Sequence, residues 1–183
     1  MTGQSSLDRV LLISLFGVAT ALVVSGCTGS KDCGCGPGLD GTLYSCSFEA
    51  DADTLGWTGY GSIWLADDAP PGGGSRALGV EGGCIAPHAA FTLEPEVDGS
   101  YCSIWCWARE VSAPGRVELR LAADYEGGSI DLIVQGTDWK RYSASGFIWC
   151  PAGRSLEINV YSGGFRQPGG ILLDLLEVVR VQR

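Results

Sequence analysis

From Leu43 onward, apolar and polar positions alternate in short runs separated by Gly and Pro. Alternation with a period of two is the signature of strands with one buried face. It predicts strands near residues 43–49, 75–80, 88–94, 101–109, 116–123, 129–134, 139–149, 154–161 and 171–181. "RVELRLAAD" is the clearest, with Val117, Leu119 and Leu121 on one face and Arg116, Glu118 and Arg120 on the other. "SLEINVY" repeats the pattern with Leu156, Ile158 and Val160 inward. The last run, "ILLDLLEVVRV", also fits a helix, but its β-branched tail and Gly169-Gly170 favour a strand. Turn signals such as "PPGGGS", "EPEVDGS" and "SAPG" recur between the runs. The expectation is an all-β sandwich of about eight or nine antiparallel strands, with no internal repeat.

The front of the chain follows another pattern. Val10 to Val24 is apolar except for Ser14, Gly17 and Thr20, and it ends in Ser25-Gly26. That run is shorter than the roughly 20 residues a spanning helix needs. Its layout is that of an export signal with a small-residue cleavage site. An ordinary secretory signal and an uncleaved short anchor are the plainer alternatives. Thr28 to Gly41, "TGSKDCGCGPGLDG", is Gly-rich and nearly free of large apolar residues, as flexible spacers are.

Val24-Ser25-Gly26-Cys27 resembles the bacterial lipobox. The resemblance implies cleavage before Cys27, lipid on its sulfur and acylation of the new amino group. Thr28 stands where an inner-membrane retention aspartate would, which implies the outer membrane or cell surface. Two or more acyl chains give a stable anchor. The expected organisation is therefore a signal peptide at 1–26, a tether at 27–41 and a β domain at 42–183.

Composition narrows the partners. The net charge is −9 and no basic stripe is visible, which excludes nucleic acid as the expected partner. It also argues against electrostatic adhesion to anionic lipid.

The order of elements in the domain resembles the galactose-binding-like jelly roll found in many carbohydrate-binding modules. The resemblance spans roughly Leu43 to Val181. It rests on "SFEADADTLGW", on "SRALGV", on "DGSYCSIWCWARE" closing on Trp107-Ala108-Arg109, on "TDWKRYSASGFIW", and on "ILLDLLEVV" with an acid among aliphatics. In many such modules a structural calcium ties the first strand to the last. The matching acids here are Glu49 and Asp174, and backbone carbonyls would complete the shell. The alternative is two surface carboxylates with no ion. No other cofactor is expected.

Tyr101 to Arg109 is the most informative stretch for ligand binding. One face carries Cys102, Ile104, Cys106 and Ala108; the other carries Tyr101, Ser103, Trp105, Trp107 and Arg109. With the first face inward, two indoles stand side by side on the open sheet, roughly 7 Å apart. An aromatic face beside hydrogen-bonding groups suits a sugar ring. Arg120, Glu157 and Asn159, on outward faces of other strands, could supply those bonds. Alternatively, the indoles fill the core while the cysteines pair elsewhere. Trp57, Trp64, Trp139 and Trp149 are expected as packing residues.

There are eight cysteines. Setting Cys27 aside leaves an odd number, so at most three disulfides form. Cys102 and Cys106, on one strand, are about 13 Å apart and cannot pair with each other. Cys84 and Cys150 are the expected partners. Cys33-Gly-Cys35 with Cys46 is a weaker metal-binding pattern, because no fourth ligand lies nearby. The one histidine, His88, has no nucleophile motif around it, and no G-x-S-x-G, H-E-x-x-H or P-loop occurs.

The sequence therefore points to a non-catalytic protein of the bacterial cell envelope, held by a lipid anchor and binding a glycan through an aromatic-bearing sheet face. The rival is an envelope or adhesion protein using the same fold for protein–protein contact. A glycoside hydrolase with paired carboxylates is the remote third.

Overall fold

The computed structural model describes residues 41–82, 89–93, 100–122, 128–151, 153–163 and 169–181. The expectations for the signal segment, Cys27, the tether to residue 40, Cys33, Cys35, Cys84 and His88 lie outside them. The described residues form ten strands: β1 (Thr42–Cys46), β2 (Ser62–Ala66), β3 (Ala77–Gly82), β4 (Ala89–Leu93), β5 (Ser100–Glu110), β6 (Gly115–Leu121), β7 (Ser129–Val134), β8 (Lys140–Ile148), β9 (Leu156–Ser162) and β10 (Gly169–Val181). A short 3-10 turn covers Asp51–Thr54.

The strands form two antiparallel sheets. The larger runs β2-β3-β10-β5-β8, with β1 also on β10; the smaller runs β4-β9-β6-β7. β10 is long enough to serve two neighbours on one side: Gly169–Leu173 pairs with β3, and Leu176–Val179 pairs with β1. The core lies between the sheets. Ile104, Val178 and Leu78 come from the larger, Val117, Leu119 and Ile158 from the smaller. The all-β jelly-roll expectation holds.

β10 resolves the helix-or-strand ambiguity of "ILLDLLEVVRV". Ile171 and Leu173 point into the core before a bulge between Asp174 and Glu177; Leu176 and Val178 do so after it. Leu175, at φ 49°, carries the extra residue. A bulge shifts the strand by one position. Two strand halves one residue out of phase thus look like a helical stripe when written out. β2 is the strand the alternation did not announce. Ile63 and Leu65 pack inward, while Trp64 covers Gly79 on the outer face, so both faces read apolar.

Candidate functional site

In an antiparallel sheet, directly paired residues share a face. On the larger sheet, Cys102, Ile104, Cys106 and Ala108 are buried in the core. Tyr101, Ser103, Trp105, Trp107 and Arg109 therefore face outward. Across the strands, Trp107 neighbours Asp174 and Arg141, and Trp105 neighbours Glu177 and Ser143. Two rings of this face, Trp105 and Trp139, carry an arginine guanidinium. The Arg141 guanidinium lies 4.6 Å from the centre of the Trp105 ring, and that of Arg109 lies 5.7 Å from Trp139. Asp68 fixes the second stack, accepting hydrogen bonds from Arg109 Nε at 3.1 Å and Nη2 and from Trp139 Nε1 at 3.1 Å. Burial pushes the Asp68 carboxyl up, but these hydrogen bonds and the Arg109 charge outweigh it and hold it below the usual carboxylate range. Arg109 is thus committed to the 67–76 loop.

Arg120 and Asn159 also face outward, but from β6 and β9 of the smaller sheet. The five residues expected to share one ligand site are divided between opposite sides of the sandwich. The two sheets and the core between them separate Trp105, Trp107 and Arg109 from Arg120 and Asn159.

The smaller sheet carries a polar lattice on its outer face. Cross-strand pairing makes three rows: Ala90, Asn159, Glu118 and Asp131; Thr92, Glu157, Arg120 and Ser129; Tyr161, Arg116 and Ile133. Arg120 ion-pairs with Glu157 at 3.1 Å and Glu118 at 3.5 Å. Arg116 pairs with Asp131 at 3.6 Å and Glu118 at 3.7 Å, and stacks 4.4 Å above the Tyr161 ring. Tyr161 donates its hydroxyl to Glu118 at 2.8 Å. Burial, then that bond, pushes the phenol up to about 12. Glu118, Arg120 and Asn159 are buried although they point away from the core. Asn159 donates Nδ2 to Glu157 at 3.1 Å, while its Oδ1, on a residue with 0% exposure, has no hydrogen-bond partner among the described residues. A hollow lined by Pro114, Gly115, Arg116, Tyr161 and Gly163 opens at one end of this face. Glu118, Glu157, Arg116 and Tyr161 were legible as outward residues, but strand alternation does not reveal which strands become neighbours.

Glu49 and Asp174 come together at the edge of the 67–76 loop. Glu49 accepts from Ser75 N at 3.1 Å, Ser75 Oγ at 3.1 Å and Arg76 N at 3.4 Å. Asp174 is fully buried; Leu175 N donates to its Oδ1 at 2.7 Å, and among the described residues Oδ2 has no hydrogen-bond partner. Burial pushes its carboxyl up to about 7, with the Glu49 charge adding to the effect. A Cβ on Gly73 would overlap Asp174 Oδ2, and one on Gly74 would overlap Glu49 Oε1. Phe48 and Leu175, beside the two acids, both take left-handed backbone conformations, strain of the kind held at functional sites. An oxygen-seeking cation fits the orphaned Oδ2. Among the described residues no third His, Cys, Asp or Glu joins the pair. Asp174 would lead the shell, Glu49 would lend its remaining lone pair, and backbone carbonyls would supply the rest.

The cysteines differ from expectation. Cys102, Cys106 and Cys150 are buried thiols, not disulfide halves. The register explains this: Cys102 faces Gly146 and Arg180, and Cys106 faces Tyr142, so neither meets a cysteine on its neighbouring strands. Burial raises the Cys106 thiol to about 12 and Cys102 to about 11, away from reactivity. Cys46 is disulfide-bonded, and its partner lies outside the described residues. Trp57 packs as expected, donating to Tyr44 Oη at 3.1 Å beside Phe48 and Phe91. Trp149 does not: it is 55% exposed, because it follows the inward Ile148 and lies beside the outward Phe147.

No family model matches the chain, and no curated protein matches it. Solved structures share its fold. The CBM22-1 xylan-binding domain of Paenibacillus barcinonensis Xyn10C superposes with a TM-score of 0.56 at 20% identity, covering 80% of this chain and 99% of that one. The C-terminal family 22 carbohydrate-binding module of Clostridium thermocellum Xyn10B gives 0.55 at 18%, covering 80% and 99%. The arabinose-bound α-L-arabinofuranosidase MgGH51 gives 0.52 at 13%, covering 78% of this chain and 27% of that one.

Proposed function

We propose that this protein is a lipid-anchored, non-catalytic module of the bacterial cell envelope that binds carbohydrate on the outer face of its smaller sheet. The carrying observation is the hollow beside Arg116 and Tyr161, one cross-strand row from the buried Asn159, whose Oδ1 has no hydrogen-bond partner among the described residues. An aromatic wall next to fixed donors and acceptors is how proteins hold sugars. The fold shared with a xylan-binding domain makes xylan-type glycans the first to test. Arg120 lies between Glu118 and Glu157, where a hydrolase would need the glycosidic oxygen, and this supports binding without cleavage.

A second reading places the glycan on the larger sheet, and the outward Trp105 and Trp107 favour it. Calorimetry with the purified chain and xylo-oligosaccharides separates the two. Asn159→Ala is expected to weaken binding about tenfold, the loss of about 1.4 kcal/mol, and Trp107→Ala to leave it unchanged. The reverse result moves the site to the larger sheet. No binding across plant, bacterial and host glycans would sink the sugar reading.

A further inference from the structure

Three of the exposed large apolar side chains, Phe147, Trp149 and Val181, gather at one end of the domain. Val181, Tyr101 and Phe147 form one cross-strand row on the outer face of the larger sheet. Phe147 is 61% exposed and Val181 is also exposed; Trp149 packs against Phe147, the rings tilted by 44° with centres 6.2 Å apart. An outward aromatic patch on a sheet edge calls for an occupant.

The chain's entry point suggests which. Gly41 O accepts from Arg180 N at 2.7 Å, and β1 starts beside Val179. The segment that precedes Gly41 therefore joins the domain at the end where the patch lies. Thirteen residues lie between Cys27 and Gly41. A Gly-rich coil of that length spans about 20 Å on average and at most about 50 Å. The hollow beside Tyr161 is at the other end: Gly115 approaches Ile171, ten residues up β10 from Val181, or about 33 Å along the strand.

We propose that this end of the sandwich rests on the lipid bilayer, with Tyr101, Phe147 and Trp149 in the interfacial layer and the glycan face held outward. The proposal rests on the lipid anchor at Cys27. Tyr and Trp settle where apolar and wet regions meet. With a net charge of −9, the contact is aromatic, not electrostatic, so it is insensitive to salt and gains nothing from anionic lipid.

The test uses the full lipidated chain on phosphatidylcholine vesicles. Brominated lipid is expected to quench part of the tryptophan emission, equally at low and high salt, and Trp149→Phe to remove most of the quenchable part. If the chain floats with the vesicles but wild type and Trp149→Phe quench alike, the docking is overturned and the anchor stands. If the wild-type chain does not float with the vesicles, anchor and docking both fall. If a soluble oligosaccharide shifts Trp149 emission without vesicles, the patch belongs to the glycan and the docking is overturned.

Discussion

Arg120→Ala is expected to destabilise the domain by about 3–5 kcal/mol, the cost of breaking a buried ion pair by removing one partner. The guanidinium is buried and serves Glu118 and Glu157 together. Its removal leaves the buried Glu118 and the partly buried Glu157 close to each other without the guanidinium between them. Neither can relax outward without breaking further contacts, because Glu118 holds the Tyr161 hydroxyl and Glu157 holds Asn159. The control is the triple change Arg120→Met, Glu118→Gln, Glu157→Gln. It removes all three charges at nearly constant volume and is expected to recover most of the loss. Urea unfolding measures both. A single Arg120→Ala loss below about 1 kcal/mol would mean that the lattice is solvated like an ordinary surface network.

The lattice also shows what alternation can and cannot reveal. "RVELRLAAD" and "SLEINVY" place Glu118, Arg120, Glu157 and Asn159 on outward faces, and the structure agrees residue by residue. A period of two says which side of its own strand a residue occupies. It does not say which sheet the strand joins. Arg120 and Asn159 were therefore assigned to the same site as Trp105, across the whole thickness of the sandwich. Paired cysteines failed for the same reason, since register across β10, β5 and β8 decides contact. Trp149 failed on phase: with Ile148 turned into the core, the next residue falls on the outward side beside Phe147. The nine strands read from the pattern are present. β2 escaped because Trp64 pairs with Gly79 and erases the polar face that would have marked it.

Calcium is expected to raise the melting temperature, and Asp174→Asn to abolish the rise. The sign follows from the carboxyl. Without a cation, Asp174 is held at about 7 in the folded chain, against roughly 3.9 when unfolded. The folded state then binds the extra proton, so the stability this group contributes is fully present below about pH 4 and is lost as pH rises towards 7. A cation at Oδ2 favours the ionised form and reverses that slope, because protons now compete with the metal. At a calcium concentration about 100-fold above its dissociation constant, the gain is about 2.7 kcal/mol. For a domain of this size that corresponds to a rise of about 5–10 °C. Asp174→Asn removes both the pH dependence and the calcium response, while Glu49→Gln weakens the response and also loosens the loop at Ser75. Melting curves at pH 4 and pH 7, with calcium and with chelator, separate the cases. Equal melting temperatures with and without calcium at pH 7 would leave Glu49 as an anchor of the loop and Asp174 as a buried acid with no ion.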